Sequence, residues 1–379
     1  MVGCDVCFAL IGSVPHNSRA LRQLRALVAM GLHVEVYAVA PPAELPIDLR
    51  TQAHYYPLPL PPGRGPRFFW KAHRAVFQAV RACRARVYHA SDLFVLPALA
   101  KVARQHQGRL VFDARERYPY TPGTIGRPWA QRFWRALEAH YIRQVDLVLT
   151  VSEGLAIHLV RDYGIAPPLV LHNAPAEAAR PDPEVSLRRR LQLPDQVVLF
   201  LFQGNLRPGR GCLLPLEVLP QVPRAVLVYL GDGPLAPVIR QRALALGVAD
   251  RVHVLPPVLP DALLSVTASA DVGLVLLEDV CLNLRLSLPN KLFEYLAAGV
   301  PVLASNLPEL RRVVETYQVG CIVDPRNADA LAAAMRRLVE DVALRRQLAI
   351  NTGTAFAAHS WAQGALRFQE AYRKLLCAT

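Results

Sequence analysis

What this 379-residue chain lacks narrows its possible roles before any motif is read. No apolar run approaches the ~18 uninterrupted residues of a membrane-spanning helix, and the opening Met1-Val2-Gly3-Cys4-Asp5 has neither the basic stretch nor the long apolar segment of a secretory leader. A cytoplasmic protein is the expectation. Seven cysteines, an odd number, are scattered as Cys4, Cys7, Cys83, Cys212, Cys281, Cys321 and Cys377, which argues against a disulfide framework. Cys4 and Cys7 have redox or zinc spacing. They lie in an apolar run that reads as a first strand, however, and no second Cys or His pair follows at ligand distance, so reduced core thiols are expected. Short repeats, low-complexity tracts, helix-turn-helix, zinc-finger and aromatic RNA-binding motifs are all absent, and no nucleic-acid partner is expected.

Acidic residues are scarce too: 30 Asp+Glu against 43 Lys+Arg give a net charge of +13. The imbalance is local. Residues 61–145 hold 16 Lys+Arg and 4 Asp+Glu, whereas residues 1–60 hold 4 of each. Within the basic region Arg64, Arg67, Phe68, Phe69, Trp70, Lys71 and Arg74 interleave cations with aromatics, which suits peripheral docking on an anionic membrane surface. An ordinary basic helix is the other reading of the same stretch.

The chain is long for a single core and 53% of it is hydrophobic, so two domains are expected. Short apolar runs alternate with amphipathic segments. Val6–Ile11, Val34–Val39, Val87–His89, Leu110–Asp113 and Leu147–Val151 read as strands in the first half. Val197–Phe202, Ala225–Leu230, Val252–Leu255, Val272–Leu276, Val300–Ala304 and Cys321–Val323 do so in the second. The expected fold class is α/β, with two doubly wound, Rossmann-like domains at 1–174 and 175–357. Their seam falls in the polar, Pro- and Ala-rich stretch from His172 to Pro183. Ligands of such sheets bind at the carboxyl ends of strands, so two domains facing across a cleft make that cleft the expected site.

The most informative segment is Leu288-Pro289-Asn290-Lys291-Leu292-Phe293-Glu294-Tyr295-Leu296-Ala297-Ala298-Gly299-Val300-Pro301-Val302-Leu303-Ala304. Pro289 suits a helix start, Gly299 a C-terminal cap and Pro301 a stop, which predicts a helix from Asn290 to Ala298 feeding a buried strand. Leu292, Phe293, Leu296 and Ala297 give it a core-facing stripe. Lys291 and Glu294 share another face. A cation and a carboxylate above free helix N–H groups fit a ligand that is anionic at one end and hydroxyl-rich at the other. In the loop Gln203-Gly204-Asn205-Leu206-Arg207-Pro208-Gly209-Arg210-Gly211, the glycine spacing mimics a P-loop. Gly211 has no hydroxyl to hold magnesium, which rejects a nucleoside triphosphatase and leaves Arg210 as a guanidinium fork for phosphate oxygens. Gly12 after the first strand, Gly231-Asp232-Gly233, and the set His89, Asp92, Asp113, Arg115 and Glu116 follow other strands. Each of these is also read as a loop-orienting group.

Taken in order, the Gly12 turn, the Gln203–Gly211 loop, Gly231-Asp232-Gly233, Asp271-Val272-Gly273-Leu274 and Pro289–Ala304 resemble the retaining, nucleotide-sugar-dependent glycosyltransferases of the GT-B type, family 4. The resemblance spans nearly the whole chain. It implies that residues 358–379, with Ser360-Trp361 through Tyr372, form a C-terminal helix returning to the first domain. It implies a nucleoside diphosphate sugar as co-substrate, a saccharide or lipid-linked acceptor, retention without an obligatory metal or bound cofactor, and work in cell-surface polysaccharide or glycolipid synthesis. Carried over position by position, Glu294 meets the ribose hydroxyls, Arg210 and Lys291 the diphosphate, and Val258 the base through its backbone. Gly12, Gly204, Asn205, Pro289 and Asn290 complete the donor contacts, and Arg115 joins Arg210 and Lys291 as a catalytic candidate. Three departures stand out. Leu286 occupies the place of the family's first Glu in Glu-x7-Glu, Asn205 that of an Arg, and Arg115 that of a His. They keep two other readings open: a nucleotide-sugar epimerase or hydrolase on the same scaffold, and a non-catalytic membrane- or nucleic-acid-associated partner.

Overall fold

The structure is a computed structural model describing residues 3–15, 17–39, 45–60, 63 and 65–377. It divides into two compact units, residues 1–173 with 361–379, and residues 174–360. In the first, β1 (Cys4–Leu10), β2 (Val34–Val39), β3 (Ala53–Leu58), β4 (Ala85–Ala90), β5 (Arg109–Asp113), β6 (Leu147–Thr150) and β7 (Leu169–Val170) form one sheet in the order β3-β2-β1-β4-β5-β6-β7. In the second, β8 (Val198–Gln203), β9 (Ala225–Leu230), β10 (Val252–Leu255), β11 (Val272–Val275), β12 (Val302–Ser305) and β13 (Gly320–Val323) run β10-β9-β8-β11-β12-β13. Every described strand pair is parallel. This is the expected doubly wound α/β class. β8 and β9 are buried along their whole length, as strands covered by helices on both faces must be.

β3 was not among the expected strands, and its position explains why. It is the outer strand of the first sheet, four of its six side chains are not buried, and Pro57 lacks an N–H that an interior ladder would use. A half-exposed edge strand carries no apolar run to read.

The first unit's core gathers Val6, Phe8, Leu10, Val87, Val111 and Leu149 from the sheet, and it is completed from the far end of the chain. The helix Trp361–Cys377 contributes Trp361, Phe368 and Tyr372 to that core. Gln369 donates to the Ala26 carbonyl at 2.9 Å, and Arg86 to the Leu376 carbonyl at 3.0 Å. The C-terminal helix thus returns to the first unit, as the resemblance implied.

Candidate functional site

Each sheet reverses its strand order once, between β1 and β4 in the first and between β8 and β11 in the second. The loops leaving those strands diverge to opposite faces and open a crevice at the strands' carboxyl ends, where a ligand fits. In the second unit that crevice is bordered by the loop after β8. Gly204 N–H donates to the Leu230 carbonyl at 2.9 Å and Leu206 N–H to the Asp232 carbonyl at 2.8 Å, so the loop is pinned to the turn after β9. At Gly211 (φ +69°) an added Cβ would lie 1.6 Å from the Leu276 carbonyl oxygen, so only glycine lets this loop touch the end of β11. The Gly211 N–H donates to Glu278 at 3.1 Å, a carboxylate that sequence reading did not single out. Arg210 is half-buried between these anchors, whereas Gly204 and Asn205 are exposed. Val258, past β10, is half-buried against the core.

The helix after Pro289 spans Asn290–Ala297. Its end is a left-handed cap: Gly299 takes φ +74°, its N–H donates to Leu296 and the Val300 N–H to Tyr295, which satisfies carbonyls the helix leaves unpaired. Leu292, Phe293, Leu296 and Ala297 are buried as expected, and so is Tyr295, whose hydroxyl donates to the Leu201 carbonyl at 2.7 Å and accepts from the Gln203 N–H at 3.1 Å. That double bond fixes the helix across β8. It also sets Gln203 beneath Glu294: the Gln203 amide donates to the Glu294 carboxylate at 2.5 Å, while Thr267 donates to the Gln203 oxygen at 2.9 Å. Gln203 is therefore a positioning residue missed in the sequence. Only the β8 register brings it to Glu294.

Lys291 is not the solvated partner of a surface pair. Its side chain is buried, its ammonium lies 3.4 Å from the centroid of the Phe202 ring, and Nζ has no hydrogen-bond partner among the described residues. Burial pushes its pKa from 10.5 down to about 7; Cys212 and Glu294 oppose that push and Arg210 adds to it. Arg210, Lys291 and Glu294 thus form one electrostatic neighbourhood, with Pro289 as the cap residue and Asn290 exposed in the first turn. Leu286 is buried and apolar.

In the first unit the predicted groups assemble differently. Gly12 follows β1, and its carbonyl accepts from the Val39 N–H at 3.2 Å. Asp92 accepts from the Ile11, Phe94 and Val95 N–H groups at 2.9, 2.8 and 3.2 Å, so it orients loops. Asp113 takes two bonds of 2.7 Å from Arg19 and one of 3.0 Å from Gln23. Burial by itself raises its pKa, but the Arg19 guanidinium outweighs this and holds the carboxyl below its usual range. His89 is fully buried, its Nδ1 lies 2.5 Å from the Tyr372 hydroxyl, and burial pulls its pKa to about 3, so it is neutral core. Arg115 is half-buried beside Asp113 and Asp92; burial disfavours its charge and the two carboxylates more than restore it.

The basic face needs one correction. On the helix Gly65–Val80, Arg67, Trp70, Lys71 and Arg74 are exposed and Phe68 is half-buried. Phe69 is not available to any surface: it is buried among Phe94, Phe133 and Trp134, with centroids 5.8, 5.7 and 5.4 Å away. Arg64 lies outside the described residues. Among the described residues no helix is long and apolar enough to cross a membrane.

Known proteins resemble both units. Residues 16–174 match a family model described as glycosyl transferase 4-like domain, and residues 197–341 one described as glycosyl transferases group 1. A D-inositol 3-phosphate glycosyltransferase of Rhodococcus jostii is 26% identical over 250 residues, which cover 62% of this chain and 54% of that one. A GDP-mannose-dependent alpha-(1-6)-phosphatidylinositol monomannoside mannosyltransferase of Mycobacterium tuberculosis is 32% identical over 183 residues, 46% of each chain. The chain spans about half the length of the curated relatives it matches. Among solved structures, sucrose-phosphate synthase of Thermosynechococcus elongatus superposes with a TM-score of 0.79 over 99% of this chain and 100% of that one, at 20% identity.

Proposed function

We propose that this chain, which belongs to the group 1 glycosyltransferases through the two domains it carries, moves a hexosyl group from a nucleoside diphosphate sugar to an acceptor hydroxyl. The observation that carries the reading is the Lys291 ammonium, buried and without a hydrogen-bond partner beside Arg210 at the start of a helix. A buried cation in that state is costly unless a ligand anion completes it. A diphosphate does so, with the helix N-terminus adding its own N–H groups near Asn290.

In this reading Glu294, held by Gln203, accepts the ribose hydroxyls, and the backbone at Val258 meets the base. Gly204 and Asn205 border the diphosphate, and Pro289 sets the helix start over it. As the sugar departs, negative charge grows on the diphosphate, and Arg210 and Lys291 stabilise it from fixed positions. Retention follows if the leaving phosphate itself takes the acceptor's proton on the same face. The charge is met by side chains, so the transfer is assigned no divalent cation. Arg115 and the Gly12 loop are assigned to the transferred sugar. The inositol phosphate and phosphatidylinositol mannoside acceptors named for the relatives define the first panel to try, and the pathway is assigned to cell-surface glycolipid or polysaccharide synthesis. Arg67, Trp70, Lys71 and Arg74 are assigned to an anionic lipid surface at the inner face of the membrane, where a lipid-linked acceptor would lie.

The test is thermal unfolding against UDP, GDP, ADP, CDP, dTDP and their sugar conjugates, run beside Glu294→Ala. A ligand at about 100 times its Kd adds ~2.7 kcal/mol. A raised midpoint with one base, lost in Glu294→Ala, and sugar transfer unaffected by EDTA are expected. No response to any nucleotide overturns the reading.

A further inference from the structure

Three side chains that the transfer does not use converge at the amino ends of strands in the first sheet. Cys4 opens β1, Glu35 is the second residue of β2, and Cys83 lies two residues before β4. These are the amino ends of three adjacent strands, β2-β1-β4. The Cys4 and Cys83 sulfurs are 3.6 Å apart, and one ligand atom from each of Cys4, Glu35 and Cys83 lies within 4.8 Å of the others. Cys7 is fully buried and pairs in register with Glu35 on β2. The groups near Cys4 come from two other strands, beyond the reach of sequence spacing.

We infer that Cys4, Cys83 and Glu35 form a structural site for a thiophilic divalent cation, zinc being the fitting ion and solvent the fourth ligand. The spacing supports it: two thiolates bound at about 2.3 Å on a tetrahedral ion are separated by about 3.8 Å, whereas a disulfide holds its sulfurs at about 2.05 Å. The observed 3.6 Å is close to that tetrahedral edge and far from a disulfide. Glu35 is already oriented, because the Tyr37 hydroxyl donates to one carboxylate oxygen at 2.6 Å and leaves the other for an ion, the outer-shell support that metal ligands commonly have. Binding is an exchange: each cysteine that coordinates as thiolate releases its proton to solvent, and no oxidant or reductant takes part. Three adjacent strands become clipped at one end, so the ion acts on the stability of the first unit and not on transfer.

The experiment uses the full chain, purified with its thiols reduced, loaded with zinc or cobalt and freed of loose ions by gel filtration. About one ion per chain should be retained, and the cobalt form should show thiolate-to-cobalt charge transfer with the visible bands of a tetrahedral ion. Cys83→Ser should lose both, Glu35→Gln should keep the thiolate bands at reduced affinity, and Cys321→Ser should bind as the parent does. Stripping the ion should lower the midpoint of thermal unfolding while nucleotide binding by the second unit persists in the folded chain. A reduced parent chain that retains no ion, or cobalt spectra unchanged in both Cys83→Ser and Glu35→Gln, overturns the inference. Ion retention by the parent chain is decisive by itself, so a variant that fails to fold does not block the test.

Discussion

The two units treat buried charge in opposite ways. In the first, Asp113 is closed by Arg19 and Gln23, and Arg117 is buried with Glu138 and Asp162, the closest contact being 2.8 Å to Asp162. Each of these cations faces a carboxylate. In the second, Lys291 is buried over an aromatic ring with no hydrogen-bond partner on Nζ. The same doubly wound fold therefore uses charge as internal scaffolding in one unit and holds it in readiness in the other. Only the second arrangement asks for a ligand.

The largest effect should come from breaking a completed pair. Asp113→Ala leaves Arg19 buried and uncompensated, which should lower stability by ~3–5 kcal/mol in chemical unfolding. Lys291→Met, in the other unit, should leave the ligand-free chain as stable as before or more so. Equal losses in the two variants would erase the contrast.

Next in size, Glu294→Ala removes a charged acceptor whose bonds are worth ~1.5–3 kcal/mol, so calorimetry should show donor affinity falling by about ten- to a hundredfold. Gln203→Leu should reproduce part of that loss, since it frees the carboxylate to swing. Full donor affinity in Gln203→Leu would show that Glu294 needs no support.

The pH dependence follows from Lys291. With its pKa near 7 in the fold against the usual 10.5 unfolded, the folded chain binds fewer protons than the unfolded chain between those values. Stability without ligand should accordingly rise with pH from about 7 upward. A bound diphosphate favours the charged amine, so donor affinity should do the reverse, falling above about pH 7 by up to tenfold per unit. Lys291→Met should abolish that slope, and calorimetry in buffers of different ionisation heat should detect the proton taken up.

The smallest effects belong to the exposed face. Serine at Arg67, Lys71 and Arg74 should change stability by less than about 0.5 kcal/mol, yet each lost cation should remove ~1 kcal/mol of attachment to anionic vesicles at low salt. Flotation indifferent to lipid charge and salt would remove that surface from the account.

What could be read from the sequence tracks locality. The Asn290 helix announces itself through Pro289, its apolar stripe and Gly299, all within one short window, and its observed limits differ by a single residue. The buried parallel strands are continuous apolar runs and are equally legible. Tertiary decisions are not. Gln203 reads as a loop residue until the β8 register sets it under Glu294, and Cys83 reads as isolated until β4 lies beside β1. Lys291 illustrates the same limit from the other side: its place in the motif was visible, while its burial over Phe202, 89 positions earlier, was not.

The first unit is discontinuous, and this orders events during synthesis. Its sheet is complete by Val170, but Trp361, Phe368 and Tyr372, which cover its core, emerge only after the entire second unit. At ~5–20 residues per second, that leaves the face uncovered for roughly 10–40 s on the ribosome. A premature stop between Val323 and Trp361 would release a chain whose first core is left open even though both sheets had already been made.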